Sequence, residues 1–381
     1  MTINQPTISS NGDIRPTFAE VDFLSLTGNL DAIREKVGPT KVMLILKANA
    51  YGHGLKEIAL HMADKVDYFG VAVLEEGVFL REFGIKTPIL VMGGVWSDQI
   101  PSYIQNDLTL TASSIERLEQ IDQAAKSMHK QARVHLKIDT GMERIGVHYY
   151  NAEKLLYATL SCCSNVIVEG IYSHFANSDS SDLTHARLQL ERFNEVLRFY
   201  DKHSLQTPTR HMANSAAVLQ IPESYYDLVR PGILMYGVYP SPECQKTVIV
   251  KPVLSWKSRV VYFKVVKPGH PVSYGSIWQS DHLVRVVTIP VGYGDGYFRS
   301  MSNKASVIIR GQKFPQVGRI CMDQIMVNIE WGTAYNGDEV TLIGESNGEK
   351  VTVEDLAEWA GTIPYEILTN INTRVPRVYI K

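Results

Sequence analysis

Lys47 closes a run of five apolar residues, VMLIL at 42–46, and is followed by ANAYGHG. An amine held against apolar surface is partly desolvated, loses basicity and can form a Schiff base with a carbonyl. A strand-end lysine can equally snorkel to solvent, and the run alone does not choose. The small residues and two glycines that follow let backbone approach a ligand closely, and Tyr51 adds a hydroxyl. Further down the chain, polar residues again stand where apolar runs end: Lys137, Asp139, Arg144, His174, His211, Asn214, Ser215, Arg230 and Gly232. Arg144 has the bidentate geometry that holds a carboxylate. Ser215 opens a helical segment, whose first N–H groups suit an anion. Arg230 by itself could equally be half of a structural ion pair.

The elements that must position these residues form an alternating pattern. Apolar runs lie at 42–47, 68–73, 88–94, 108–112, 132–139, 166–175, 209–214 and 227–237. Between them, segments such as 54–65, 75–84, 97–107, 113–123 and 183–203 place apolar residues at helical spacing, several starting at a Ser or Thr suited to capping. Eight such units in about 200 residues predict a closed (β/α)8 barrel of parallel strands covered by helices, an α/β fold. An open doubly wound sheet is the competing arrangement, but no Gly-rich dinucleotide fingerprint follows the first strand. In a barrel, chemistry sits at the C-terminal strand ends, where these polar residues stand. After about residue 239 strand patterns follow one another, at 254–266, 283–293, 304–310, 316–320, 324–329, 339–345 and 374–380, and only 351–361 reads as a helix. The expected organisation is a barrel over 1–240 and a smaller, mostly β domain over 241–381.

Composition bounds the partners. The 381 residues are 45% apolar and 20% charged with a net charge of −2, which gives no footprint for nucleic acid or a charged membrane surface. The apolar runs are too short to span a bilayer. The polar first residues lack the apolar core of a signal peptide, and the first dozen read as a frayed tail. Cys162, Cys163, Cys244 and Cys321 have no metal-ligand spacing. They read as free, buried or partly buried thiols in a reducing cytoplasm, with Cys162 and Cys163 inside a helix. No metal site is expected.

The segment KANAYGHG at 47–54 resembles the pyridoxal-phosphate lysine motif of the alanine racemase family. Further segments resemble the family in order: HLKIDTGMERIGV at 135–147, GIYSHFANSD at 170–179, HMANSAAVL at 211–219, DLVRPGILMYG at 227–237, VSYG at 272–275, IPVGYGDGY at 289–297, VGRICMDQIMV at 317–327 and PYEILTNINTRVPRVY at 364–379. The resemblance implies an isomerase that interconverts L- and D-alanine with pyridoxal 5'-phosphate and supplies D-alanine for peptidoglycan. Lys47 would bind the cofactor and serve as one base at the substrate Cα. Tyr274 would be the base on the opposite face, assisted by His174 and Arg230. A tyrosine titrates near 10 when unperturbed, so that role requires activation by such neighbours. Arg230 would face the pyridine nitrogen, where many pyridoxal enzymes place a carboxylate. A permanent cation there keeps the nitrogen unprotonated and favours return of the proton to Cα.

By the same resemblance Tyr51, His174, Asn214, Ser215, Gly232, Ile233 and Tyr365 contribute to cofactor binding. Arg144, Met322, Asp323 and Tyr293 address the substrate, and Lys137 is the lysine that carbon dioxide carbamylates to position Arg144. Glu143 departs from the pattern, because a carboxylate there either competes for Arg144 or points to solvent. Tyr274, Tyr293, Met322 and Asp323 would act across the interface of a homodimer with shared active sites. Three rivals keep part of this picture. A decarboxylase of basic amino acids would want an acid in place of Arg230. A pyridoxal-phosphate carrier would lack the β domain. A broader serine/alanine racemase differs only in pocket width.

Overall fold

Each of the eight apolar runs in the first part of the chain is a strand in the computed structural model, which describes residues 15–381. They are Lys41–Ile45, Tyr68–Val71, Ile89–Val91, Leu110–Ala112, Ala132–Asp139, Val166–Tyr172, Thr209–His211 and Leu228–Val229. The tail expected for the first dozen residues lies outside the described part. The strands pair in parallel in two sheets, one running from Leu228–Val229 through Lys41–Ile45 and Tyr68–Val71 to Ile89–Val91, the other from Leu110–Ala112 to Thr209–His211. Backbone hydrogen bonds join them at both seams. Val91 N–H donates to Thr109 O at 3.0 Å and Thr109 N–H to Ile89 O at 2.9 Å. Across the other seam Asp227 N–H donates to Arg210 O at 3.1 Å and Arg230 N–H to Ala213 O at 2.9 Å. The ring is therefore closed, and the open-sheet alternative fails because no strand edge is left unpaired.

Residues 42–46 are all buried, as expected of strands covered on both faces; each such aliphatic side chain contributes about 1.5–3 kcal/mol on leaving water. The helix Thr184–Lys202 buries Ala186, Leu190, Phe193, Val196 and Phe199 along one side. Helix Ile115–Ser127 is capped by Ser114, whose hydroxyl accepts from Arg117 N–H at 3.0 Å. One helix ends earlier than expected. It spans Ala152–Ser161, so Cys162 and Cys163 follow it rather than lie inside it. Asp122 captures Asn165 through its backbone N–H at 2.7 Å and turns the chain towards the next strand. Cys163 and Cys244 are buried and Cys321 is half-buried, but Cys162 is exposed, and all four are free thiols.

The chain divides into two compact units. Leu26–Ala50 and Gly54–Lys251 form the barrel unit; Tyr51–His53, Pro252–Lys381 and the described residues up to Ser25 form a β unit. The β unit holds a ten-stranded sheet. Its strand order is Tyr262–Val266, Val284–Ile289, Ile325–Glu330, Gln312–Val317, Ser306–Ile309, Glu339–Ser346, Leu254–Arg259, Phe18–Asp22 and Arg377–Ile380, with Glu349–Val351 paired to Glu339–Ser346. Phe18–Asp22 went unread in the sequence. Its partners lie more than 200 residues away, at Leu254–Arg259 and Arg377–Ile380, and such pairing leaves no local periodic signal. A second helix, Pro364–Asn370, joins the expected one at Val353–Ala360. Proline at its first turn starts it, and seven residues are too few for a clear period. Among the described residues no helix is long and apolar enough to cross a membrane.

Candidate active site

The strand Lys41–Ile45 runs through Leu46 into an unusual turn that Lys47 opens. Ala48, Asn49, Ala50 and Tyr51 all have φ between +52° and +56°, one turn of left-handed helix. That conformation costs roughly 1–2 kcal/mol per L-residue with a Cβ, so the surroundings must hold it. Ala48 N–H donates to Glu76 Oε1 at 2.7 Å, Ala50 N–H to Leu46 O at 2.8 Å, and Asn49 accepts from Gly54 N–H and, through Oδ1, from Leu55 N–H at 2.8 Å. Of the four, only Asn49 is a residue type that visits this region readily; Ala48, Ala50 and Tyr51 carry the cost of their Cβ atoms. Strain of this kind gathers at functional sites.

Lys47 lines a cavity of about 370 Å³ at the C-terminal end of the barrel strands, together with Lys137, Arg144, His174, Arg230, Tyr172, Ala72, Met92, Gly93, Gly94 and Ile145. Two arginines, two lysines and no carboxylate line this space, so it favours an anionic ligand. Burial and then Arg144 hold the Lys47 amine below its ordinary pKa; Glu76 opposes them, and Arg230 adds a smaller push in the same downward direction.

Arg230 is 3% exposed, and burial drops its pKa to about 10. It remains charged at neutral pH. Its guanidinium donates to Ser173 O at 2.9 Å, Met212 O at 3.1 Å, His211 Nδ1 at 3.0 Å and His174 Nδ1 at 3.2 Å. Since guanidinium only donates, both imidazoles accept through Nδ1 and carry their proton on Nε2. Burial and then Arg230 hold His174 well below the ordinary histidine range, so it is neutral.

Lys137 is buried beside them. Burial, Arg230 and Arg144 lower its amine to about 7, with Asp139 opposing. Its Nζ donates to Ile138 O at 3.1 Å and sits 4.9 Å from the Tyr172 ring centre. Asp139 binds the following loop by accepting from the N–H groups of Gly141, Met142 and Arg144. Glu143 accepts from His148 Nε2 at 2.8 Å.

Asn214 and Ser215 do not line the cavity; they order the next turn. Asn214 Oδ1 caps helix Ser215–Gln220 through Ala217 N–H at 3.0 Å and accepts from Ser178 Oγ. Ser215 Oγ accepts from Gly232 N–H at 2.8 Å and Leu234 N–H at 3.3 Å, so the Gly232 donor already has a partner; Ile233 begins the short helix Ile233–Tyr236.

The β unit carries the remaining candidates. The Tyr51 and Tyr365 rings lie 6.1 Å apart, and burial raises the Tyr51 phenol. Tyr274 is 70% exposed and Met322 52% exposed. Ser273, before Tyr274, has φ +70° and anchors through Oγ to Arg319 O at 2.7 Å. Tyr293 N–H donates to Cys321 O and Gly294 N–H to Met322 O, which ties these two loops together. Asp323 accepts from Arg374 Nη2 at 2.5 Å, and Arg374 also binds Asp295 at 2.7 Å.

Two family models cover this chain: the alanine racemase N-terminal domain over 21–240 and the alanine racemase C-terminal domain over 253–379. The chain belongs to the alanine racemase family. It is 41% identical over 370 residues to the alanine racemase of Carboxydothermus hydrogenoformans, covering 96% of this chain and all of that one. It is 40% identical to that of Clostridium novyi, over 97% of this chain and 96% of the other. Among solved structures, alanine racemase of Clostridium difficile 630 matches with a TM-score of 0.91 at 37% identity over 97% of both chains. Alanine racemase of Bacillus anthracis with bound L-Ala-P matches at 0.90 and 32% identity, over 97% of this chain and 96% of that one. The barrel and β architecture is thus that of alanine racemases, which are isomerases.

Two residues lining this cavity escaped the sequence reading. Tyr172 stacks on His211 with ring centres 4.7 Å apart and lies 5.4 Å from the Arg230 guanidinium carbon. Its signal was its place at the end of a strand, two residues before His174. Gly93 went unremarked inside the apolar run 88–94, yet a Cβ there would meet Ala72 O at 2.2 Å.

Proposed function

We propose that this chain interconverts L- and D-alanine by two-base proton transfer at Cα with pyridoxal 5'-phosphate as cofactor. The observation that carries the reading is the anion-favouring cavity, in which a desolvated Lys47 sits with a buried, charged Arg230. This donor set fits the cofactor: an amine of lowered basicity to bind it and a permanent cation for its ring nitrogen. When bound, pyridoxal phosphate withdraws electron density from the substrate Cα and so acidifies its proton.

The chain's own residues then divide the work. Lys47 holds the cofactor and takes or returns the Cα proton on one face. Tyr274 does so on the other, and its exposure suits a residue offered to a second copy of this chain. His174 presents its Nε2 proton as a donor that lowers the cost of a phenolate. Arg230, which donates everywhere and accepts nowhere, leaves a facing nitrogen without a proton and disfavours side reactions. Arg144 orients the substrate carboxylate. Met322, Asp323 and Tyr293 join it from the second copy in a homodimer with shared active sites. Asn214, Ser215, Gly232 and Ile233, with Tyr51 and Tyr365, serve the phosphate, which asks Gly232 N–H to share or exchange its Ser215 partner.

Lys137, neutral above about pH 7, can add carbon dioxide and lose a proton to become a carbamate beside Arg144. We assign residues 1–240 to cofactor binding and 241–381 to the partner's site. We place the reaction in the cytoplasm, where D-alanine would feed peptidoglycan synthesis. The L-Ala-P bound by the Bacillus anthracis relative supports a small, alanine-like substrate.

Purified protein incubated with pyridoxal phosphate and single L-amino acids, followed by chiral chromatography, tests this. L-Alanine should approach an equal mixture of enantiomers while the others change little. Racemisation of several amino acids would replace the alanine assignment with a broad one, and none at all would overturn the proposal.

A further inference from the structure

Arg230 keeps its charge in the barrel without a carboxylate among its hydrogen-bond partners. Besides two backbone carbonyls and His174, a chain of two imidazoles orients it. Arg230 Nη1 donates to His211 Nδ1 at 3.0 Å, and His211 Nε2 meets His135 Nδ1 at 2.8 Å. Both rings are fully buried and held far below the histidine range, His135 at about 3, first by burial and then by Arg230. Each neutral ring has one donor and one acceptor. The guanidinium forces His211 to accept at Nδ1 and donate from Nε2. That in turn forces His135 to accept at Nδ1 and carry its proton on Nε2. The last atom, His135 Nε2, is buried with no hydrogen-bond partner. A buried orphan donor is a cost that calls for a reason.

The backbone is shaped around this ring. A Cβ at Gly170 would stand 2.6 Å from His135 Nδ1, and the pairing of Ala132–Asp139 with Val166–Tyr172 shifts register between Val134 and His135. The Tyr172 ring stacks flat on His211, and the Tyr68 ring lies 6.1 Å from His135. Packing alone would be met by any planar ring. An acceptor at the His135 Nδ1 position is not.

We propose that His135 is a positioning residue for Arg230: through His211 it fixes the tautomer that turns an acceptor towards the guanidinium, with Gly170 clearing the space. Without it, His211 can move its proton to Nδ1 and oppose the Arg230 N–H groups with one of its own. The inference deepens, and rests on, the reading of Arg230 given above. The loss it guards against is the side reaction in which the alanine amino group passes to the cofactor, whose carbonyl is reduced to an amine while alanine leaves oxidised as pyruvate.

The test compares His135→Asn, whose amide oxygen can replace Nδ1 as acceptor, with His135→Phe, which fills similar space without one. Both are prepared as pyridoxal-phosphate holoenzyme. Nitrogen-15 NMR of labelled histidines should show His135 and His211 as neutral Nε2–H tautomers in the wild type, with His211 kept so in His135→Asn and mixed in His135→Phe. Pyruvate released per racemisation event should rise about three- to tenfold in His135→Phe, the scale of one net hydrogen bond, and stay near wild type in His135→Asn. An Nδ1–H tautomer at His211 in the wild type would overturn the proposal. So would equal partition in His135→Phe and wild type, or an equal rise in both variants. Arg230→Gln serves as control: if its pyruvate yield matched the wild type, the reading of Arg230 itself would fail, while the NMR would still decide the imidazole chain.

Discussion

Glu143 turns its carboxylate away from the neighbouring Arg144 and takes a hydrogen bond from His148 Nε2 at 2.8 Å. Both partners are exposed, and Glu143 sits at φ +55° in the loop that Asp139 secures. Of the two outcomes open to this departure from the family pattern, the structure gives the solvent-facing one. Arg144 is left lining the cavity.

Glu143→Gln should therefore leave kcat/KM within about twofold, as expected of an exposed substitution. The partner should respond instead. Glu143 raises the His148 pKa, so the charged imidazole is favoured by the fold below its ordinary pKa and that preference is lost as pH rises through the raised value. Histidine proton NMR should show the His148 midpoint fall in Glu143→Gln. A large loss of activity would mean that Glu143 acts on Arg144 after all.

Removing either proposed base should split the reaction differently. Lys47→Ala should abolish the visible absorbance of bound cofactor and lower turnover by at least about 10²–10⁴-fold, the range for a positioned acid–base group. Tyr274→Phe should retain the absorbance and lose Cα deuterium exchange for one enantiomer far more than for the other. Equal losses for both would contradict the assignment of opposite faces.

Lys137 offers a chemical test. Its folded pKa of about 7 lies below the unfolded value, so the unfolded chain binds more protons between about 7 and the ordinary lysine range, and stability rises with pH across that window. The neutral amine in that window is the form that adds carbon dioxide. Carbon-13 NMR of protein equilibrated with labelled bicarbonate should show a carbamate signal at pH 8 that is absent in Lys137→Ala.

Acid should unfold this barrel early. His135, His174 and His211 are neutral in the fold and charge readily in the unfolded chain. With folded pKa values depressed, their stabilising preference is complete above about 6.5 and declines as pH falls below it. The midpoint of thermal unfolding should fall between pH 6.5 and 4, and less steeply in His135→Asn than in the wild type. Identical slopes would show that other groups govern the acid limb.

The family, the barrel and most of the cavity were legible in the chain because they rest on local signals. Eight apolar runs with helices between them leave little choice but a parallel sheet, and Lys47, Lys137, Arg144, His174 and Arg230 stand where those runs end. Their spacing also carries the resemblance to alanine racemases. Other features needed the third dimension. The left-handed turn at Ala48–Tyr51 is held by Glu76, and the strand Phe18–Asp22 exists only because distant strands flank it. Tyr172 and His135 drew no notice in the sequence; the closed barrel sets Tyr172 beside Arg230 and links His135 to it through His211. Residue type and spacing determined which groups were available. Hydrogen-bond partners, tautomers and the loss of Lys137 basicity were decided by tertiary burial, because each depends on which atoms the fold removes from water and which it leaves facing one another.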